Sequence, residues 1–187
     1  MDKTRKCLVA GQPGSGKTTL IKAWAARESR VLHWDIEDEY SGERVTLADL
    51  PGLLSRKAFH ATYRPRYAKR PEELPQEFEA LAYLLLALKK SRELLLTVDE
   101  ALAIFPKTGS GGLGSLLLRG RKRGIHLIYA TQYLSRLPHV LLGQTRELVL
   151  FHLDGRGDQQ VLRSYCPDDV MRRVASLPPH QFVIINK

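Results

Sequence analysis

Cysteine, asparagine, acidic residues and long apolar runs are all scarce in this chain, and most of these shortages close off a class of protein. Its 187 residues include two cysteines, Cys7 and Cys166. They form no C-x-x-C pair and are too few for a metal cage or a disulfide framework, which suits a reducing cytoplasm. Cys7, inside an apolar stretch, reads as a small core residue. The longest apolar run, Ala80 to Leu88, is far short of the ~20 residues that span a bilayer. The charged start Met1 to Lys6 leads into no secretory stretch, so a soluble, unexported protein with no transmembrane segment is expected. Asparagine occurs once, at Asn186, a bias that carries no function. Asp and Glu number 20 against 29 Lys and Arg, leaving a net charge of +9. Such an excess favours polyanionic partners, nucleic acid among them.

What the chain does have is a core and a rhythm. Apolar residues make up 43% of it, enough for one compact unit over residues 1–187, and neither repeats nor a second domain are visible. Short apolar runs bounded by Gly, Pro or charge lie at Cys7 to Ala10, Arg30 to Asp35, Phe59 to Tyr63, Leu94 to Asp99, His126 to Thr131, Leu148 to Leu153 and Phe182 to Ile185. They read as buried strands. Helical patterns lie between them at Lys17 to Ala26, Glu77 to Lys90 and Leu113 to Arg123. This alternation predicts an α/β fold with a mostly parallel sheet covered by helices on both faces. Two segments break the rhythm. Tyr63 to Pro75 is basic and proline-rich and reads as a surface connection. Lys107 to Ser115, with four glycines in nine residues, reads as a mobile loop.

Gly11 to Thr18, GQPGSGKT, fits the G-x-x-x-x-G-K-[ST] phosphate loop and sits between an apolar strand and a helix, as that motif requires. Its glycines let backbone N–H groups converge on phosphate oxygens at the helix N-terminus. Gly11, Gln12, Pro13, Gly14, Ser15, Gly16, Lys17, Thr18 and Thr19 are therefore the expected nucleotide-binding residues. Lys17 would reach the β and γ phosphates, and the Thr18 hydroxyl would ligate Mg²⁺. Leu94 to Glu100 is an apolar run ending in two acids. Such an ending is ordinary where a buried strand meets solvent. Behind a phosphate loop, it places Asp99 at the metal and Glu100 at an attacking water. A water-orienting carboxylate points to hydrolysis of ATP.

Three further segments carry a resemblance to a family. Arg119 to Gln132, RGRKRGIHLIYATQ, is similar to the segment of the HerA/FtsK superfamily of ATP-driven DNA pumps in which a G-R-x-x-G turn leads into a strand ending in Thr-Gln. DIEDEY at 35–40 resembles the D-x-x-x-E-Y that follows that family's second strand, and VDEA at 98–101 its acidic strand end. The resemblance implies a RecA-like P-loop NTPase, a three-layer sandwich assembled into a homo-oligomeric ring, in our reading a hexamer, that moves double-stranded DNA independently of sequence. It implies that Gln132 is a polar sensor near the γ phosphate or the water. It also implies that Arg121 is a finger entering the neighbouring subunit's site, with Arg119, Arg123 and Arg146 as open alternatives. Charge runs such as Arg119 to Arg123 are otherwise solvated helix ends. Lys107 and the basic residues Arg64, Arg66, Lys69 and Arg70 are candidates for loops that grip DNA phosphates.

Without the barrel or membrane-anchoring region of the cellular members, the chain resembles the minimal genome-packaging ATPases of membrane-containing viruses. That implies a capsid or membrane-vertex protein as docking partner and the host cytoplasm or the virion vertex as location. A filamentous-phage-type assembly ATPase and a non-motor ATP switch are the alternatives. A small-molecule kinase fits less well, since it has less use for Glu100 and for the segment ending in Gln132. No N-K-x-D or T-K-x-D segment follows the loop, so guanine recognition is not expected.

Overall fold

The structure is a computed structural model that describes residues 5–66, 70–87, 92–105 and 111–187. Eight strands and seven α-helices follow one another there. They are β1 (Lys6–Ala10), α1 (Lys17–Ala25), β2 (Arg30–Trp34), β3 (Glu43–Val45), α2 (Leu50–Ser55), β4 (Phe59–Tyr63), α3 (Leu74–Ala87), β5 (Leu94–Val98), α4 (Gly111–Arg119), β6 (Ile125–Thr131), α5 (His139–Gln144), β7 (Glu147–Leu150), α6 (Arg156–Leu162), α7 (Asp168–Ala175) and β8 (Val183–Asn186). All eight strands form one sheet in the order β3-β4-β2-β5-β6-β1-β7-β8. Every pairing is parallel except β7 with β8.

Every residue of β2 and β5 is buried, because both faces of the sheet are covered and neither side can carry polar residues at low cost. One face packs on α1, where Ile21 and Ala25 meet Cys7, Val9, Val149 and Phe151. The helix expected over Lys17 to Ala26 therefore forms, and it docks through Ile21 and Ala25. Cys7 is fully buried, and burial pushes its thiol well above the ordinary range, which makes it an inert core residue. The opposite face holds the larger cluster, including Trp34, Phe78, Leu81, Leu85, Leu113 and Leu117. Trp34 stacks on Tyr63 at 5.3 Å and meets Phe78 edge-on at 5.0 Å.

The structure corrects the sequence reading at several places. Residues 111–115 of the glycine-rich segment are helical and begin α4, whereas 107–110 lie outside the described residues. The cause is packing against α3. A Cβ on Gly112 would stand 2.8 Å from Ala82 Cβ and 3.0 Å from Glu79 Cα, so glycine permits the two helices to approach closely. The helix expected to run to Arg123 stops at Arg119 and tightens into a 3-10 turn at Gly120–Arg123. Strand β3 was not anticipated, since its three residues, ERV, carry no apolar alternation.

The register decides where function can sit. Ala10 pairs with Thr131, and Val98 with Tyr129, so β1, β5 and β6 run in the same direction and finish together. The residues that follow them, Gly11, Asp99 with Glu100, and Gln132, are delivered to one crevice at the carboxyl edge of the sheet.

Candidate active site

The loop from Gly11 to Thr18 is shaped by its glycines. A Cβ on Gly11 would lie 2.5 Å from Phe151 Cβ and 2.8 Å from Ser15 Oγ, and Gly14 and Gly16 have φ of 72° and 101°. Only glycine takes these positions without strain. Gly16 leads directly into α1, whose first N–H groups have no partner within the helix and so favour an anion. Lys17 is buried and folds back over the loop, donating from Nζ to the carbonyl oxygens of Gly11 (2.9 Å) and Gln12 (3.0 Å). Burial lowers its pKa, while Asp99 and Glu100 pull it the other way. Gln12 Nε2 donates to Asp154 Oδ1 at 2.7 Å, Ser15 Oγ is buried with no hydrogen-bond partner among the described residues, and Thr19 is exposed in the first turn of α1.

Thr18 and Asp99, the two residues expected at the metal, lie side by side: Thr18 Oγ1 donates to Asp99 Oδ2 at 2.6 Å. These are hard oxygen donors of the kind Mg²⁺ takes alongside substrate phosphates. No group of three or more His, Cys, Asp or Glu able to cage a metal exists among the described residues. The adjacent oxygens of Thr18 and Asp99 fit a metal whose other ligands come from a nucleotide and water.

Sequence reasoning assigned Tyr40 no role. Its hydroxyl donates to the same Asp99 oxygen at 3.0 Å. The Asp35 carboxylate accepts the N–H groups of Glu39 and Tyr40, and His33 stacks on the Tyr40 ring at 4.2 Å. DIEDEY is therefore a clamp in which Asp35 shapes the turn that aims Tyr40 at the acid. The motif was visible in the sequence; its target, 59 residues away, was not.

Glu100 adopts a left-handed backbone, φ 58° and ψ 61°, which costs a residue with a Cβ about 1–2 kcal/mol. Gln132 Nε2 donates to Glu100 Oε2 at 2.7 Å, so β5 and β6 present these two side chains as a unit. Burial raises the Glu100 pKa; the Gln132 bond opposes this and Asp99 reinforces it. Pro13, Gly14, Lys17, Thr18, Tyr40, Asp99, Glu100 and Gln132 all line one cleft of about 410 Å³.

Arg121 is not in that cleft. It lies in the 3-10 turn before β6, where Leu94 N–H bonds to Gly124 O. The 7 residues of β6 rise about 3.3 Å each, which puts Arg121 about 20 Å away at the amino edge of the sheet. Arg146 shares that edge. Burial lowers the pKa of Lys6, and so do the nearby charges of Arg146 and Arg121. Arg119 and Arg123 flank the same turn.

Of the basic loop, Arg64 is tied to Asp38 at 2.6 Å and Arg70 to Glu73 at 3.1 Å. The Arg66 N–H donates to Glu77 at 2.8 Å. Lys69 and Lys107 lie outside the described residues.

A family model described as an AAA domain matches residues 2–149. No curated protein matches the sequence significantly. Solved structures of similar fold include the genome packaging NTPase B204 from Sulfolobus turreted icosahedral virus 2 in complex with AMPPCP, with a TM-score of 0.77, 22% identity, and coverage of 100% of this chain and 94% of that one. VirB4 of Thermoanaerobacter pseudethanolicus matches at 0.72, 13% identity, 100% and 90%. The bacterial conjugative coupling protein TrwBdeltaN70 matches at 0.71, 14% identity, 99% and 82%. At such identities the likeness is one of fold, and the fold is that of P-loop NTPases.

Proposed function

Because this chain belongs to the AAA domain family, we propose that it is a single-domain ATPase that hydrolyses ATP with Mg²⁺ between the subunits of a hexameric ring. The reaction drives double-stranded DNA, as in a genome-packaging motor of the HerA/FtsK type. The observation that carries this reading is a division of labour across the sheet. Lys17, Thr18, Asp99, Glu100 and Gln132 gather at the carboxyl edge, and the cations Arg121 and Arg146 stand at the amino edge. One chain cannot bring the two edges together, whereas head-to-tail neighbours in a closed ring can. The names of the similar proteins, a genome packaging NTPase and a conjugative coupling protein, support a role in handling DNA. Docking on a capsid or membrane-vertex protein, in the host cytoplasm or virion, belongs to the same proposal.

In this reading the loop N–H groups and Lys17 hold the β and γ phosphates. Thr18 and Asp99 would hold Mg²⁺, which when bound screens the phosphate charge. Glu100 orients a water onto the γ phosphorus and accepts its proton as the bond to the β–γ bridging oxygen breaks. Gln132 keeps Glu100 aimed. Arg121 of the adjacent subunit neutralises charge on the equatorial oxygens, as an always-charged planar guanidinium can.

Mixing Lys17→Ala with Arg121→Ala protein tests this. Each variant alone should lose turnover. Random mixed rings should regain activity at about a quarter of their interfaces, those pairing an intact loop with an intact finger. Absence of rescue in verified mixed rings, or full turnover by a monomer, overturns the shared site. Turnover that ignores duplex DNA at low salt points instead to a non-motor switch or assembly ATPase, and phosphate appearing on a metabolite points to a kinase.

A further inference from the structure

The phosphate loop has two flanks. On one side of β1 lie β6 and β5, with Gln132, Asp99 and Glu100; on the other lie β7 and β8. The γ end of a bound triphosphate belongs with the acids, so the nucleoside at the other end of the phosphate chain emerges toward β7 and β8. Two aromatic side chains with no part in the phosphate chemistry stand there.

The first is His180. Gln181 N–H bonds to Pro178 O at 3.2 Å, closing a tight turn with Pro179 second and His180 third. His180 has φ 64°. A turn with positive φ at its third residue favours glycine. Histidine there is strained, and strain of this kind gathers at ligand clamps. The ring is exposed and reaches the phosphate loop, since a Cβ on Gly16 would lie 3.1 Å from His180 Nδ1. The second is Phe182, a large apolar ring left 36% exposed. It packs at 5.3 Å on Phe151, which is buried beneath Gly11 and Gly16. The aromatic contacts thus run from the floor of the loop out to an open face beside the start of α1.

We propose that His180 and Phe182 form the nucleobase platform of this site, stacking a purine between the turn at Pro178–Gln181 and the beginning of β8. The proposal rests on the reading of Gly11 to Thr18 as a triphosphate loop and adds the group that recognises the base. Aromatic faces suit a purine because each presents a π surface and sheds water on contact. Stacking on a base would give the His180 ring a use at a position where glycine would relieve the backbone.

Calorimetric titration of the full chain with ATP and with inorganic tripolyphosphate tests the assignment. His180→Ala and Phe182→Ala should each weaken ATP binding by about tenfold, a typical loss for one stacking ring. Tripolyphosphate, which has no base, should bind all of these proteins alike. His180→Phe should keep ATP affinity. His180→Gly should lose it while raising the melting temperature of the nucleotide-free protein by about 2–4 °C as the strain is relieved. ATP binding unchanged in His180→Ala, or equal loss of both ligands, overturns the platform and leaves the phosphate loop standing. Wild-type protein that binds neither ligand overturns both. Unchanged ATP binding with an altered ring mass in Phe182→Ala also overturns the platform, because it assigns the exposed ring to a neighbouring subunit.

Discussion

Glu100 carries two burdens, a left-handed backbone and a carboxyl whose burial raises its pKa. A raised carboxyl disfavours its own ionised form in the folded protein, so neutralising it should stabilise the fold while removing the base. Glu100→Gln should therefore cut phosphate release by at least about 100-fold, retain nucleotide binding and raise the melting temperature, as calorimetry would read. In the wild type, kcat should fall with acidification at a pH above the usual carboxylate range. His33 acts in the opposite sense. It is buried and shares a 2.6 Å hydrogen bond with Thr97 Oγ1, and burial first, then His60 and Lys22, lowers its pKa to about 4. The unfolded chain takes up this proton near pH 6.5 and the folded one resists until about 4. The stabilisation is complete above 6.5 and is lost as pH falls through that window, by about 3 kcal/mol. Urea unfolding at pH 7.5 and 4.5 should show this loss, and His33→Gln should largely abolish it.

At the scale of elements, what a glycine faces decides what it does. Gly112 in α4 meets α3 so closely that Gly112→Ala should destabilise by about 1–3 kcal/mol through overpacking, despite alanine's better helix propensity. Gly143 in α5 has nothing within 4 Å of a Cβ, so Gly143→Ala should stabilise by up to about 1 kcal/mol. Thermal melts of the two variants should shift in opposite directions. Sequence alone reads the segment of Gly112 as a mobile loop, because glycine-rich composition registers backbone freedom and is silent about a neighbour that makes the missing side chain necessary. The helix expected over Glu77 to Lys90 was legible because Phe78, Leu81 and Leu85 recur on one face; it begins three residues earlier, at Leu74, and residues 88–90 lie outside the described residues. The short helices α2, α5, α6 and α7 went unread, since at 6 to 8 residues they show too few repeats for a period to emerge.

For the molecule as a whole, the charge of +9 is unevenly distributed. Arg64 and Arg70 lie beside acids, and Arg121, Arg146 and Lys6 share the amino edge of the sheet, where burial first and then the two guanidinium charges depress the Lys6 ammonium. If the ring grips duplex DNA through phosphates, log affinity should fall linearly with log salt, with a slope of about −5 to −9, and two unrelated sequences should bind alike. Fluorescence anisotropy from 50 to 200 mM salt would read both. A flat salt response would show that DNA is not the polyanion this charge serves.

The phosphate loop was determined by sequence alone, because its chemistry is contiguous: GQPGSGKT needs only a strand before it and a helix after it. The parallel sheet was legible for a similar reason, since strands buried on both faces are mostly apolar, with the few polar exceptions such as His33 and Thr97 hydrogen-bonded to each other. Only the tertiary structure decided what meets across distance. The register of β5 and β6 brings Gln132 to Glu100 across 32 residues. The turn capped by Asp35 carries Tyr40 to Asp99, and the antiparallel return into β8 sets His180 against Gly16. Such pairings follow from strand order and loop closure, whose free energy is spread over the whole core and marks no single residue.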